Sequence, residues 1–199
     1  MNKTESKLIL ASSSPRRKEI LQNAGISPYM TLSPHIDETV YDREKPLHIA
    51  QRLAMEKMQK TLEMKELAGL LDSCFVLCAD TVAAVGRRVL PKAESQEDIK
   101  SFLRIMSGKR HHVYTSVTVH TPAGKIIQKT SDSTVIFKTL SPFEIEEYAL
   151  TEEGIEKAGG YAIQGKGGVL IRYISGSYTG IMGLPIFEVM QILKGNGWK

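Results

Sequence analysis

Ser12, Ser13, Ser14, Pro15, Arg16 and Arg17 stand together near the start of the chain, a grouping suited to holding an anion. A serine-rich loop that opens a helix offers hydroxyls, free backbone N–H groups and the positive end of the helix dipole to one ligand. Arg16 and Arg17 fall in the first helical turn, where their charge opposes that dipole unless an anion sits there to offset it. Read as structure alone, Ser14 is a helix cap and the arginines are a solvated face.

Asp80 ends an apolar run, and a carboxylate at the end of a buried strand must be paired, metal-bound or open to a cleft. A structural aspartate that accepts backbone hydrogen bonds would look the same. Asp37 and Glu38 form a second acidic pair after Pro34, and carboxylates from two segments can share a Mg²⁺ ion that shields phosphates and orients a water. Lys57 and Lys92 read as surface lysines by spacing alone. Gln164, inside Gln164-Gly165-Lys166-Gly167-Gly168, offers both a donor and an acceptor to a base edge, where glycines let backbone approach a ligand. The segment matches neither a P-loop nor a dinucleotide fingerprint.

These residues need a scaffold, and local signals supply one. Residues 7–11 read as a short buried strand, followed by a helix capped by Ser14, opened by Pro15 and stopped by Gly25. A helical period from Pro46 to about Ala68, stopped by Gly69, predicts one long amphipathic helix. Residues 74–85 read as a buried strand, turning at Gly86 into Arg88–Leu90. Ser95 with Asp98 forms a capping box for a helix ending at Gly108. Two strands then flank Pro122-Ala123-Gly124 as a hairpin. Ser141, Pro142 and Glu144 start a further helix through Leu150. The stretch after it is too glycine-rich for a helix, and gives way to the strand VLIRYI, the loop SGSYTG and a last helix over about 185–193. A few loose residues are expected at each end. Strands alternating with helices, plus one hairpin, imply a mixed α/β sheet.

At 199 residues and 42% hydrophobic content the chain suits one domain, 1–199, with room for two lobes. It has no apolar run long enough to cross a bilayer, and its start, MNKTESK, does not read as a secretory signal, so a cytoplasmic protein without a membrane partner is expected. The net charge of +4 and pI near 9.0 suit either nucleic acid or a pocket for anionic substrates. With 7% aromatics and none interleaved with basic residues, a nucleic-acid platform is disfavoured. Cys74 and Cys78 share one buried face of a strand, whereas His111 and His112 point to opposite sides. No cysteine or histidine cluster has zinc spacing.

Taken in order, SSSPRRKEIL, CADTV, MSGKRHHVYTSVTV, GGYAIQGKGG and SGSYTGIMGLP resemble the Maf family of nucleoside triphosphate pyrophosphatases, once described as septum-formation inhibitors. The resemblance implies an α/β fold like that of inosine triphosphate pyrophosphatases, with an elongated central sheet, a cleft between two lobes and a homodimeric assembly. It implies hydrolysis between the α and β phosphates with a divalent cation (Mg²⁺, Mn²⁺ or Co²⁺), giving a nucleoside monophosphate and pyrophosphate. Asp80 then matches the proton acceptor, or the carboxylate that holds the metal. Ser12, Ser14, Arg16 and Arg17 match the phosphate loop, Glu38 an acidic metal position, and Lys57 and Lys92 basic residues facing the triphosphate. Arg16, Thr81 and Gln164 match the branch resembling dTTP/UTP pyrophosphatases rather than the 7-methyl-GTP branch. Modified pyrimidine triphosphates fit the same reading. VLPKAES and SYTGIMGLP depart from the family pattern. The competing expectation, from the basic pI and the older family name, is a non-catalytic nucleotide- or nucleic-acid-binding regulator of division.

Overall fold

The computed structural model describes residues 6–199, so the expectations for the first five residues lie outside it. The elements run β1 (Lys7–Ala11), α1 (Pro15–Asn23), β2 (Met30–Leu32), α2 (Pro46–Leu62), β3 (Cys74–Val85), β4 (Arg88–Leu90), α3 (Gln96–Met106), β5 (Arg110–His120), β6 (Ile126–Phe137), α4 (Pro142–Ala149), β7 (Ile171–Ser175), α5 (Tyr178–Met182) and α6 (Ile186–Gly195). The strands form one sheet in the order β2-β1-β3-β5-β6-β7, with β4 paired to β3. β1 is parallel to β2 and β3, and the remaining pairs are antiparallel, which makes the sheet mixed, as expected.

Alternation along the strands fills both sheet faces. Leu8 and Leu10 of β1, with Phe75 and Leu77 of β3, pack with Ile20, Leu21, Val189 and Leu193 from α1 and α6. Ile9, Ala11, Cys74, Val76 and Cys78 face the other way, with Met58 of α2, so both free cysteines lie on one buried face. A second core gathers α3, α4 and the far ends of β5 and β6 around Leu103, Met106 and Phe137. Each buried Leu or Phe contributes roughly 1.5–3 kcal/mol.

The capping boxes at Ser95/Asp98 and Ser141/Glu144 are both formed. Four expectations need correction. The second helix ends at Leu62, and a separate 3-10 turn, Lys65–Leu67, precedes Gly69. The strand expected from Val169 begins at Ile171, because Lys166–Leu170 wind into a 3-10 turn. SGSYTG is not a loop: Ser177 caps the short helix α5 by accepting the Gly180 N–H at 2.9 Å. The C-terminal end is tied down, with Trp198 edge-on to Phe75 at 5.6 Å and the Lys199 N–H donated to Ser6 Oγ at 3.0 Å.

His111 and His112 do face opposite sides. His112 bonds Asp132 at 2.7 Å near the surface, while His111 is fully buried, 2.9 Å from the Tyr161 hydroxyl. Burial, with a smaller contribution from His112, pushes the His111 imidazole down from 6.5 to about 3. The unfolded chain therefore takes up this proton first as pH falls. Stability held by the neutral ring is complete above pH 6.5 and is lost progressively toward pH 3. Between pH 7 and 5 this group should remove about 2 kcal/mol of unfolding free energy. Denaturant titrations at both pH values check this; a His111→Gln variant with an unaltered pH slope would contradict it. No helix among the described residues is long and apolar enough to cross a membrane.

Candidate active site

Strand register brings the first loop to Asp80. β1 and β3 run parallel, and the last residue of β1, Ala11, lies opposite Cys78, two residues before Asp80. On that edge β3 changes partner: β1 pairs with it up to Cys78, and β4 pairs from Ala83. Asp80, Thr81 and Val82 occupy the interval between the two partners, and a cleft of about 800 Å³ opens there. Clefts at the carboxyl ends of parallel strands, where the chain order switches, are the usual ligand sites of α/β sheets.

Arg17 organises the loop. Its Nε donates to the Gly183 carbonyl at 2.8 Å, one terminal nitrogen donates to Ser12 Oγ at 2.9 Å, and the other to Thr81 Oγ1 at 3.3 Å. Three of its five N–H groups are thus engaged, leaving two for a ligand. Thr115, opposite Thr81 on β5, bonds both Thr81 Oγ1 at 3.0 Å and the Gly180 carbonyl at 2.7 Å. Burial lowers the Arg17 pKa, against the opposing pull of Asp80. The Ser14 N–H donates to Ser12 Oγ at 3.2 Å. Ser14 occupies the N-cap position of α1, but its hydroxyl makes no capping bond, so the expected cap holds in place only. Arg16 lines the cleft with a buried Nε that finds no protein partner.

The acidic side of the cleft is built around a lysine. Lys57, 9% exposed on the inner face of α2, donates to Asp80 Oδ1 and to Glu38 Oε1, the latter at 2.7 Å. Lys92 reaches the other Glu38 oxygen at 3.2 Å. Burial acts to raise the Glu38 pKa, but bonding and charge from Lys57 and Lys92 outweigh it and hold the carboxylate below its usual range. The surface-lysine reading of Lys57 is thereby overturned, while Lys92 remains exposed. The acidic pair is also split: Asp37 turns to Thr39, accepting its N–H at 2.9 Å and its hydroxyl at 2.6 Å. Arg16, Arg17, Lys57 and Lys92 outnumber Glu38 and Asp80, so this end of the cleft is positive.

No group of three or more His, Cys, Asp or Glu forms a ready metal cage among the described residues. Glu38 and Asp80 nevertheless hold one cation in common, the Lys57 ammonium, which stands where an ion shared by the two carboxylates would lie. Two carboxylates, with the other ligands drawn from phosphate and water, is the way Mg²⁺ is usually bound.

Gln164 lines the same cleft from the glycine-rich loop. Ser12, Ser14, Arg16, Arg17, Glu38, Lys57, Asp80, Thr81, Lys92 and Gln164, the ten site residues expected from the sequence, therefore line one cleft, whereas Asp37 lies outside it. Sequence reasoning missed Glu153, Lys157, Tyr161, Thr115 and Gly183. An acid and a lysine in TEEGIEK, directly before the glycine-rich run, were the available signal for the first two.

A model of the Maf-like protein family matches residues 7–196. The chain is 45% identical over 194 residues to a dTTP/UTP pyrophosphatase of Chelativorans sp. (strain BNC1), covering 98% of this chain and 93% of that one. It is 47% identical to a dTTP/UTP pyrophosphatase of Mesorhizobium japonicum, over 97% and 93% of the two chains. In fold it is similar to a Ham1 protein from Coxiella burnetii, with a TM-score of 0.52 at 12% identity over 96% of this chain and 99% of that one. The Ham1 protein of Staphylococcus aureus gives 0.51 at 13% identity over the same shares.

Proposed function

The chain belongs to the Maf-like protein family, and from that premise we propose that it is a nucleoside triphosphate pyrophosphatase, hydrolysing dTTP and UTP to the monophosphate and pyrophosphate. The observation that carries the reading is Asp80, 6% exposed and fixed by Lys57, beside the Ser12/Arg17 loop. A module that only held anions would have no use for two carboxylates in a positive cleft.

In this reading the helix-opening loop and the arginines grip the phosphates, replacing the hydration that a triphosphate loses on entry. Glu38 and Asp80 would hold a divalent cation, which would supply charge shielding along the phosphates. Asp80 accepts the proton of the attacking water or helps hold that cation, and Lys57 and Lys92, released from the carboxylates, turn their charge to the phosphates. Water adds across the α–β anhydride, and the bridging oxygen leaves with pyrophosphate. Arg16, Thr81 and Gln164 select the pyrimidine, modified pyrimidines included. Length, hydropathy and low aromatic content favour a single domain, 1–199, that works in the cytoplasm without a membrane or a stable nucleic-acid partner, and the family resemblance favours a homodimer.

Purified protein with Mg²⁺, Mn²⁺ or Co²⁺ should release pyrophosphate from dTTP and UTP in a coupled assay. Release of orthophosphate in its place, or no turnover of any triphosphate, would sink the proposal.

A further inference from the structure

The glycine-rich loop that carries Gln164 runs into the 3-10 turn Lys166–Leu170, and side chains from the preceding segment fasten it there. Glu153 accepts the Lys166 N–H on Oε1 and the Gly167 N–H on Oε2, each at 2.9 Å. Oε2 also accepts the Tyr148 hydroxyl at 2.9 Å, and the Tyr148 oxygen in turn accepts the Ala162 N–H at 3.1 Å. One carboxylate and one phenol thus fix both ends of the stretch from Ala162 to Gly167, with Gln164 between them.

The glycines explain themselves against this pair. A Cβ on Gly165 would come within 1.8 Å of Glu153 Oε1, and one on Gly167 would meet the Ala162 carbonyl at 2.6 Å and the Tyr148 hydroxyl at 3.0 Å. The loop backbone is wrapped directly onto the carboxylate. Burial acts to raise the Glu153 pKa, but the Gly167 and Lys166 N–H bonds, Tyr148 and Lys157 overcome it and keep the group ionised. Lys157 secures the segment further by donating to the Glu153 carbonyl.

We infer that Glu153 is a positioning residue for base selection, holding the Ala162–Gly167 loop so that Gln164 meets the base edge. The inference rests on the dTTP/UTP reading above. A glutamine at 153 keeps the size but places an N–H₂ group against one of two N–H donors, so the clamp opens without loss of packing.

The test is Glu153→Gln, with Tyr148→Phe as a milder second variant, assayed for pyrophosphate release from dTTP, UTP and dGTP. Loss of a charged hydrogen bond should raise KM for dTTP roughly tenfold or more in Glu153→Gln, with a smaller rise in Tyr148→Phe. The preference for dTTP over dGTP should narrow by a similar factor, with kcat changed only about two- to threefold. Inorganic tripolyphosphate, which has no base, should inhibit wild type and variants equally. Weaker tripolyphosphate inhibition, a fall confined to kcat, or an unchanged base preference in a folded variant would each overturn the inference. Wild-type protein that hydrolyses no triphosphate would overturn the proposed function instead. Glu153 would then be judged by calorimetric binding of dTTP against dGTP, where equal preference in wild type and Glu153→Gln overturns it.

Discussion

Asp80→Asn should lower kcat for dTTP by about 10³-fold, the usual scale for removing a positioned proton acceptor, while the protein stays folded. The substitution is nearly isosteric at a site that is 6% exposed, so packing around β3 is preserved. What changes is charge. Lys57 keeps Glu38 as an ionic partner at 2.7 Å, so no buried ammonium is left alone, and the melting temperature should move only modestly. The asparagine cannot accept the proton of water, and its neutral carbonyl would be a poorer ligand than a carboxylate for a cation shared with Glu38. Steady-state pyrophosphate release and a circular-dichroism melt together decide the matter. A folded variant turning over at the wild-type rate would show that Asp80 is structural.

Asp80 was readable from the sequence because one polar pair interrupts an apolar, β-favouring run, and the strand runs from Cys74 to Val85 as expected. The capping boxes were equally legible, since each depends on residues three apart. The burial of Lys57 was legible in principle. Ile49, Ala50, Leu53, Ala54, Met58 and Thr61 mark the buried stripe of α2, and Lys57 falls within it at helical spacing. A lysine on an apolar stripe signals an acid waiting opposite.

Other features had no local signature. β2 is three residues long and exists only because β1 offers a parallel edge to Met30, Thr31 and Leu32. α5 lies in a glycine-containing stretch with weak helical preference, and long-range contacts hold it: Arg17 and Thr115 bond the carbonyls of Gly183 and Gly180. Bonds spanning 166 and 65 positions leave no trace in a window of neighbours. The Glu153 clamp is similar, since its partners stand 5, 13 and 14 residues away on backbone and phenol.

Those long-range bonds give the second large effect. Arg17→Lys should lower kcat/KM for dTTP by about 10²-fold although the charge is kept, because a lysine has no fork of donors. Arg17 spans Gly183, Ser12 and Thr81 at once and still has two N–H groups left. An ammonium on a flexible stem can meet some of these acceptors in turn, but cannot fix the loop, the α5 end and the ligand together. Charged hydrogen bonds are worth about 1.5–3 kcal/mol each, so losing the ligand-facing one and loosening the others accounts for that factor. Glu38 and Asp80 are untouched by the change, so the loss should fall on KM at least as much as on kcat. Wild-type kcat/KM in Arg17→Lys would mean that the loop is held by its backbone alone and that Arg17 is a passive strut. Preserved KM with a collapsed kcat would place Arg17 at the reacting phosphate, in the chemical step itself.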